Sequence, residues 1–218
     1  TTRRLQPRGP VRLLEQRVLL SAAYHLSFDD EFNSLQLWNG TTGWDTSDVN
    51  GNRTLPSNNE QEWYADPSSG YNPFSINNGV LSITADPAAN HPGVDSGGLP
   101  YLSGELTSHN QFNQEYGYFE IRAKLPSGQG FWPAFWMAPS NGGWPPEYDI
   151  FEVVDTDTGS INQTAHWMDP NSGTPTGWGY DYQGHIDSAD GFHTYGLLWT
   201  PTSAAWYVDG VLTQVQAD

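Results

Sequence analysis

The clearest pattern in the chain is short alternation of apolar and polar positions, broken by turn residues, with little helical periodicity. Phe119-Glu120-Ile121-Arg122-Ala123-Lys124-Leu125 shows it best, with apolar side chains on one face and charged ones on the other, as in a half-solvated strand. Read this way, strands are predicted over residues 26–32, 74–77, 80–85, 104–108, 117–124, 131–137, 147–153, 161–166, 193–199 and 204–208. Asn77-Asn78-Gly79, Pro126-Ser127-Gly128, Pro145-Pro146 and Asp209-Gly210 punctuate them. Residues 86–100, rich in Pro, Gly and Asn, read as a surface loop. Short strands without a convincing helix predict an all-β fold: a two-sheet antiparallel β-sandwich of the jelly-roll kind.

Composition narrows the function. The chain has 218 residues, enough for one domain plus a tail, and no run of about 18 apolar residues that would cross a membrane. It has no cysteine, which removes disulfides, zinc-thiolate sites and thiol nucleophiles together. Eight Lys and Arg against 25 Asp and Glu give a net charge of −17, a poor match to nucleic acid or an anionic membrane. Arg3, Arg4, Arg8, Arg12 and Arg17 are five of the eight basic residues, so a basic leader precedes a strongly acidic body. The leader, residues 1–25, reads as a disordered or weakly helical tail outside the fold. Its LEQRVLLSA stretch is similar to a short N-terminal motif, LE-x-R-x-LLS, found ahead of many secreted and surface proteins of bacteria. The expected location is therefore extracellular or at the cell surface.

The chemistry concentrates in Glu147-Tyr148-Asp149-Ile150-Phe151-Glu152. Three acids within six residues of an otherwise apolar strand repel one another and do not serve stability. Glu147 and Asp149, two apart, project from one face, whereas a regular strand turns Glu152 to the other. One extra residue, a β-bulge at Ile150-Phe151, restores Glu152 to the side of its partners. Two carboxyls of opposed protonation are what glycoside hydrolysis needs, and a third between them raises one pKa by like-charge repulsion. The alternative is a solvated acidic edge, against which stand the apolar neighbours Tyr148, Ile150, Phe151, Val153 and Val154.

At these residues the chain resembles glycoside hydrolase family 16, of the laminarinase or endo-β-1,3(4)-glucanase type. EYDIFE fits the family's E-x-D-x-x-E signature in its bulged form, and GYFEIRAKLPSGQGFWPAFWMAP resembles the strand pair ahead of it. NNEQEWY, INNGVLSITA, FHTYGLLWTP and WYVDG follow the family's order. The resemblance implies a concanavalin-like jelly roll over residues 26–218 and a retaining double displacement. In it Glu147 is the nucleophile, Glu152 the general acid and then base, and Asp149 the hydrogen-bonding partner of the nucleophile. Retention demands the two Glu carboxyls about 5–5.5 Å apart. It further implies that Trp132 and Trp136, four apart, stack on sugar rings in a groove, where core packing is the alternative. Asn59 in NNEQEWY is expected to bind sugar hydroxyls or else to cap a turn. His166, in TAHW, is expected beside the acids as a substrate contact or as a structural histidine. The remaining histidines have no ligand-like spacing, so no catalytic metal or other cofactor is expected, although a structural Ca2+ away from the groove accords with the family.

The partner expected is a β-glucan polysaccharide, met by a monomer. The family's domain normally continues past the position of WYVDG, so residues 26–218 read as C-terminally incomplete, aggregation-prone or poorly active alone. Xyloglucan transglycosylases usually carry the shorter E-x-D-x-E signature. An agarase or carrageenase is disfavoured by a body whose basic residues are Arg53, Arg122 and Lys124. A non-catalytic carbohydrate-binding sandwich is the remaining alternative, and it would use the tryptophans but not the acids.

Overall fold

Apolar alternation needs a second apolar face to bury against, and the chain supplies it with two four-stranded antiparallel sheets. The computed structural model describes residues 25–217; the predicted leader, apart from its last residue, lies outside them. In chain order the strands are β1 (Glu62–Tyr64), β2 (Phe74–Asn77), β3 (Val80–Ile83), β4 (Asp86–Pro87), β5 (Tyr101–Ser103), β6 (Gly117–Ala123) and β7 (Ala134–Met137). They continue with β8 (Glu147–Glu152), β9 (Ser160–Met168), β10 (Pro175–Gln183), β11 (His193–Thr200), β12 (Ser203–Val208) and β13 (Val211–Ala217). One large sheet has the order β10-β9-β8-β7 and the other β13-β12-β11-β6. A three-stranded sheet, β1-β5-β4, and the β2–β3 hairpin flank them.

The core lies between the two large sheets. Ile150 and Phe151 of β8 and Ile161 and Ala165 of β9 meet Tyr195 and Leu197 of β11 and Ala204, Trp206 and Val208 of β12. Phe151 packs on Tyr195 with ring centroids 4.6 Å apart, and Tyr148 on Trp206 at 5.8 Å in an edge arrangement. The predicted sandwich is therefore the observed fold, and Phe119, Ile121 and Ala123 of β6 pack against its core as their alternation requires.

Two predicted strands are corrected. Residues 26–32 form none, because Asp30 turns the chain locally: its carboxylate accepts the Phe32 N–H at 2.8 Å, and Phe32 sits at φ 48°. Asp30 also accepts the Trp44 indole N–H, and Phe28 stacks on Phe112, so this segment is held by side chains. Residues 104–108 contribute a single bridge, Asp45 to Thr107, and the strand lies just before them as β5. β1, β4, β10 and β13 were not predicted, β4 pairing with β5 at the start of the segment 86–100 read as a loop. β10 reads Pro-Thr-Gly-Trp-Gly-Tyr-Asp-Tyr-Gln, and its glycines suggest a turn in sequence. In the sheet they are steric: a Cβ on Gly177 would come within 2.8 Å of His166 Nδ1, and one on Gly179 within 2.9 Å of Thr164 Oγ1.

Candidate active site

The bulge predicted in β8 is present. On β9, Asp149 pairs with Thr164 and Glu152 with Asn162, so three residues of β8 span two of β9. On β7, Trp136 pairs with Asp149 and Phe135 with Phe151, which leaves Ile150 as the extra residue. Tyr148, Ile150 and Phe151 turn to the core, while Glu147, Asp149 and Glu152 share the opposite face of the sheet with Trp136, Asn162, Thr164 and His166.

A bulge disrupts the ladder locally, and the freed carbonyls are taken up from behind. Trp206 Nε1 donates to the Asp149 carbonyl at 2.8 Å, and Gln163 Nε2 to the Ile150 carbonyl at 3.3 Å. Gln163 is itself fixed, its Oε1 accepting from Thr213 and its carbonyl from Gln214. Buried side chains of the neighbouring strand β9 and of β12 in the second sheet thus hold the kink that aims Glu152.

Each outer carboxyl takes an indole N–H. Trp132 Nε1 donates to Glu152 Oε1 at 2.8 Å, and Trp144 Nε1 to Glu147 Oε2 at 3.1 Å. The segment carrying Trp132 is tied to the end of β8 by Val153 N to the Pro133 carbonyl, Asp155 N to the Phe131 carbonyl and Gly130 N to Asp155 Oδ1. His166 Nε2 lies 3.1 Å from Asp149 Oδ2 and 3.7 Å from Glu147 Oε1, and its ring sits 5.9 Å from that of Trp144.

Burial raises all three carboxyls. Asp149, 2% exposed, is pushed up to about 9 by burial, then by the charges of Glu152 and Glu147, and by the hydrogen bond it gives Glu147. Burial also raises Glu147, opposed by the charge of His166 and the hydrogen bonds from Asp149 and Trp144. Glu152 is raised by burial and eased down by Trp132 and His166. Asp149 therefore keeps its proton at neutral pH and donates it to Glu147, which has more partners for its charged form than Glu152 has. Such a set supports negative charge better at Glu147 than at Glu152, the kind of asymmetry that separates a nucleophile from an acid. Donor atoms of Glu147, Asp149 and His166 fall within 4.8 Å of one another. The proton held on Asp149 and its 3.1 Å contact with His166 account for that closeness.

A profile described as Glycosyl hydrolases family 16 matches residues 59–218. The chain belongs to this family. Endo-1,3-1,4-beta-glycanase ExsH of Rhizobium meliloti (strain 1021) is 46% identical over 191 residues, 84% of this chain and 40% of that protein. The chain thus spans well under half the length of that relative. A crystal structure of a point mutant of SCLam, described as a non-specific endo-beta-1,3(4)-glucanase of the same family and co-crystallised with 1,3-beta-D-cellotriosyl-glucose, superposes with a TM-score of 0.72. It is 32% identical, over 91% of this chain and 76% of that one. The laminarinase catalytic domain of Thermotoga maritima MSB8 gives 0.67 at 29% identity, over 88% and 77%.

Trp132, Trp136 and His166 come together with the three acids, Trp132 and Trp136 being 47% and 36% exposed. Asn59 ends a 3-10 turn over Pro56–Asn58 in left-handed conformation, its backbone N–H donating to the Pro56 carbonyl, a bond that does not use its side-chain amide. Trp144 escaped the sequence reading because it sits among turn residues, Gly-Gly-Trp-Pro-Pro. The available signal was a large aromatic placed three residues before the first acid. Gly177 and Trp206 were also missed, since each acts through a strand that the local pattern does not identify with the site.

Proposed function

We propose that this family 16 chain is a retaining, endo-acting hydrolase of β-1,3 or mixed β-1,3/1,4 glucans. The single observation that carries the reading is the bulged β8, which sets Glu147, Asp149 and Glu152 on one face. The names borne by ExsH and SCLam support the substrate class.

The chemistry follows from the charge pattern. Ionised Glu147 attacks the anomeric carbon as Glu152 gives its proton to the departing glycosidic oxygen, so the C–O bond to the leaving sugar breaks as the ester to Glu147 forms. Glu152, now anionic, takes a proton from water, whose oxygen displaces Glu147 and regenerates both carboxyls. Asp149 keeps its proton on the side of Glu147, holding that carboxylate anionic in the resting site and stabilising it again as it leaves. Trp132 and Trp136 offer exposed apolar rings to the C–H faces of glucosyl units. The two carboxyls and water supply every proton and electron pair, so this reading calls on no cofactor. A polymeric substrate is met outside the cytoplasm, which agrees with a secreted or surface-displayed protein.

The test is reducing-sugar release from laminarin, barley mixed-linkage glucan and agarose, with NMR of the first-formed anomer. Cleavage of the β-glucans with net retention is expected. Glu147→Gln and Glu152→Gln should each lower kcat at least about 10²–10⁴-fold while the folded chain still retains glucan in affinity electrophoresis. Cleavage of agarose alone, an inverted first product, or full activity in Glu147→Gln would reject it.

A further inference from the structure

We propose that Trp144 is a positioning residue for Glu147: its indole N–H fixes the nucleophile's carboxyl plane and holds it in its anionic form. The inference rests on the function proposed above and adds a residue that the E-x-D-x-x-E pattern does not contain.

The two oxygens of Glu147 face different donors. Oε2 accepts from Trp144 Nε1 at 3.1 Å, while Oε1 faces His166 Nε2 at 3.7 Å. The hydrogen bond on Oε2, with the His166 ring on the other side, restrains the carboxyl about its last torsion, so the attacking oxygen is presented in one orientation. The Glu147 side chain is 17% exposed, so water is a poor substitute for a lost donor. The titratable groups facing Glu147 are Asp149 and Glu152 on its own strand and His166 on β9, whereas β7, Ala-Phe-Trp-Met, contributes none. Of these, Glu152 disfavours a further negative charge while His166 and the Asp149 hydrogen bond favour it, and the neutral Trp144 N–H adds to that support against burial.

Trp144 is held for this role by its loop. Pro145 and Pro146 restrict φ on the path to Glu147, and Gly143 N donates to Asn141 Oδ1. Gly142 N donates to the Pro139 carbonyl, and a Cβ on Gly142, at φ +74°, would run into the Asn50 side chain, so the loop is seated against its neighbour. The indole itself is 54% exposed and outside the core, so replacing it leaves the packing of the sandwich alone.

A sugar platform and a hydrogen-bond donor make different predictions for Trp144→Phe, which keeps an aromatic face and loses the N–H. The pKa of Glu147 is read by 13C NMR of the side-chain carboxyl in the whole chain without substrate, assigned by its loss in Glu147→Gln. In Trp144→Phe it should rise by about 0.5–1 pH unit, as expected for losing one charge-assisted donor. With glucan, the acid limb of the kcat profile should move the same way and kcat should fall about 10-fold, with KM changed less than about 2-fold. An unmoved Glu147 titration in Trp144→Phe, or a rise confined to KM, would overturn the proposal. The titration needs no turnover, so it decides the role of Trp144 even if no β-glucan proves to be the substrate.

Discussion

Replacing Asp149 by Asn examines the proton inventory of the site directly. In the unfolded chain this carboxyl titrates near 3.8, and in the fold it is raised to about 9, so at pH 7 folding takes up a proton at Asp149. For a carboxyl with a raised folded-state pKa, the folded state is least penalised below pH 4 and loses stability progressively as pH rises toward about 9. Each pH unit in that window costs about 1.4 kcal/mol, so the penalty at pH 7 approaches about 4 kcal/mol. Glu147 and Glu152 share part of the charge, which sets the working range at about 2–4 kcal/mol. Asn has the same shape, needs no proton, and presents an amide N–H to Glu147 where the carboxyl presented O–H. Asp149→Asn should thus be more stable than the wild type by about 2–4 kcal/mol at pH 7, at roughly 2–4 °C of Tm per kcal/mol for a domain of this size. The advantage should shrink to nearly nothing at pH 4. Urea unfolding and thermal melts of both proteins at pH 4, 5.5, 7 and 8 read it. Hydrolysis should fall in the variant, because the amide cannot share a proton with Glu147. A stability difference that stays constant across this pH range would refute the reasoning, for it would mean that Asp149 titrates alike in the folded and unfolded chain.

Two further substitutions test the supports of the site. Gly177→Ala should lower kcat/KM about 10-fold while changing stability by no more than about 2 kcal/mol, because its Cβ, 2.8 Å from His166 Nδ1, must push that ring off Asp149; unchanged kinetics with His166 in place in a crystal structure would contradict this. Trp206→Phe should cost about 2–4 kcal/mol in urea unfolding, from lost volume and from the buried Asp149 carbonyl left without its donor. It should also cost more activity than Leu197→Ala, a core truncation of similar expense that touches no carbonyl of the bulge; equal activity in the two variants at matched stability would show that Trp206 does not hold the kink.

The chemistry of the site was legible because it lies in one strand, whereas its supports lie on others. Acids at spacings of two and three cannot share a face of a regular strand, so the sequence of β8 itself demands an extra residue, and the apolar Ile150 and Phe151 mark where it goes. The segment from Phe119 to Ala123 was equally plain, since half burial writes itself as alternation. What stayed hidden depends on distance along the chain. Gly177 and Gly179 read as turn formers, and only the register of β10 on β9 reveals that they make room for His166 and Thr164. Trp206, 57 residues beyond Asp149, looks like any core tryptophan until the second sheet brings its N–H to the carbonyl that the bulge has freed. Conversely, residues 26–32 had the composition of a strand but no ladder partner, and the side-chain bonds of Asp30 settled their path. The bulge carries the same lesson for the chemistry. A strand that turns three acids outward works against the repulsion among them, so it needs donors aimed at each carboxyl and anchors on each freed carbonyl. Those donors and anchors, Trp132, Trp144, Trp206 and Gln163, come from a loop, a turn and two other strands, and it is their convergence on six residues that makes the acids usable.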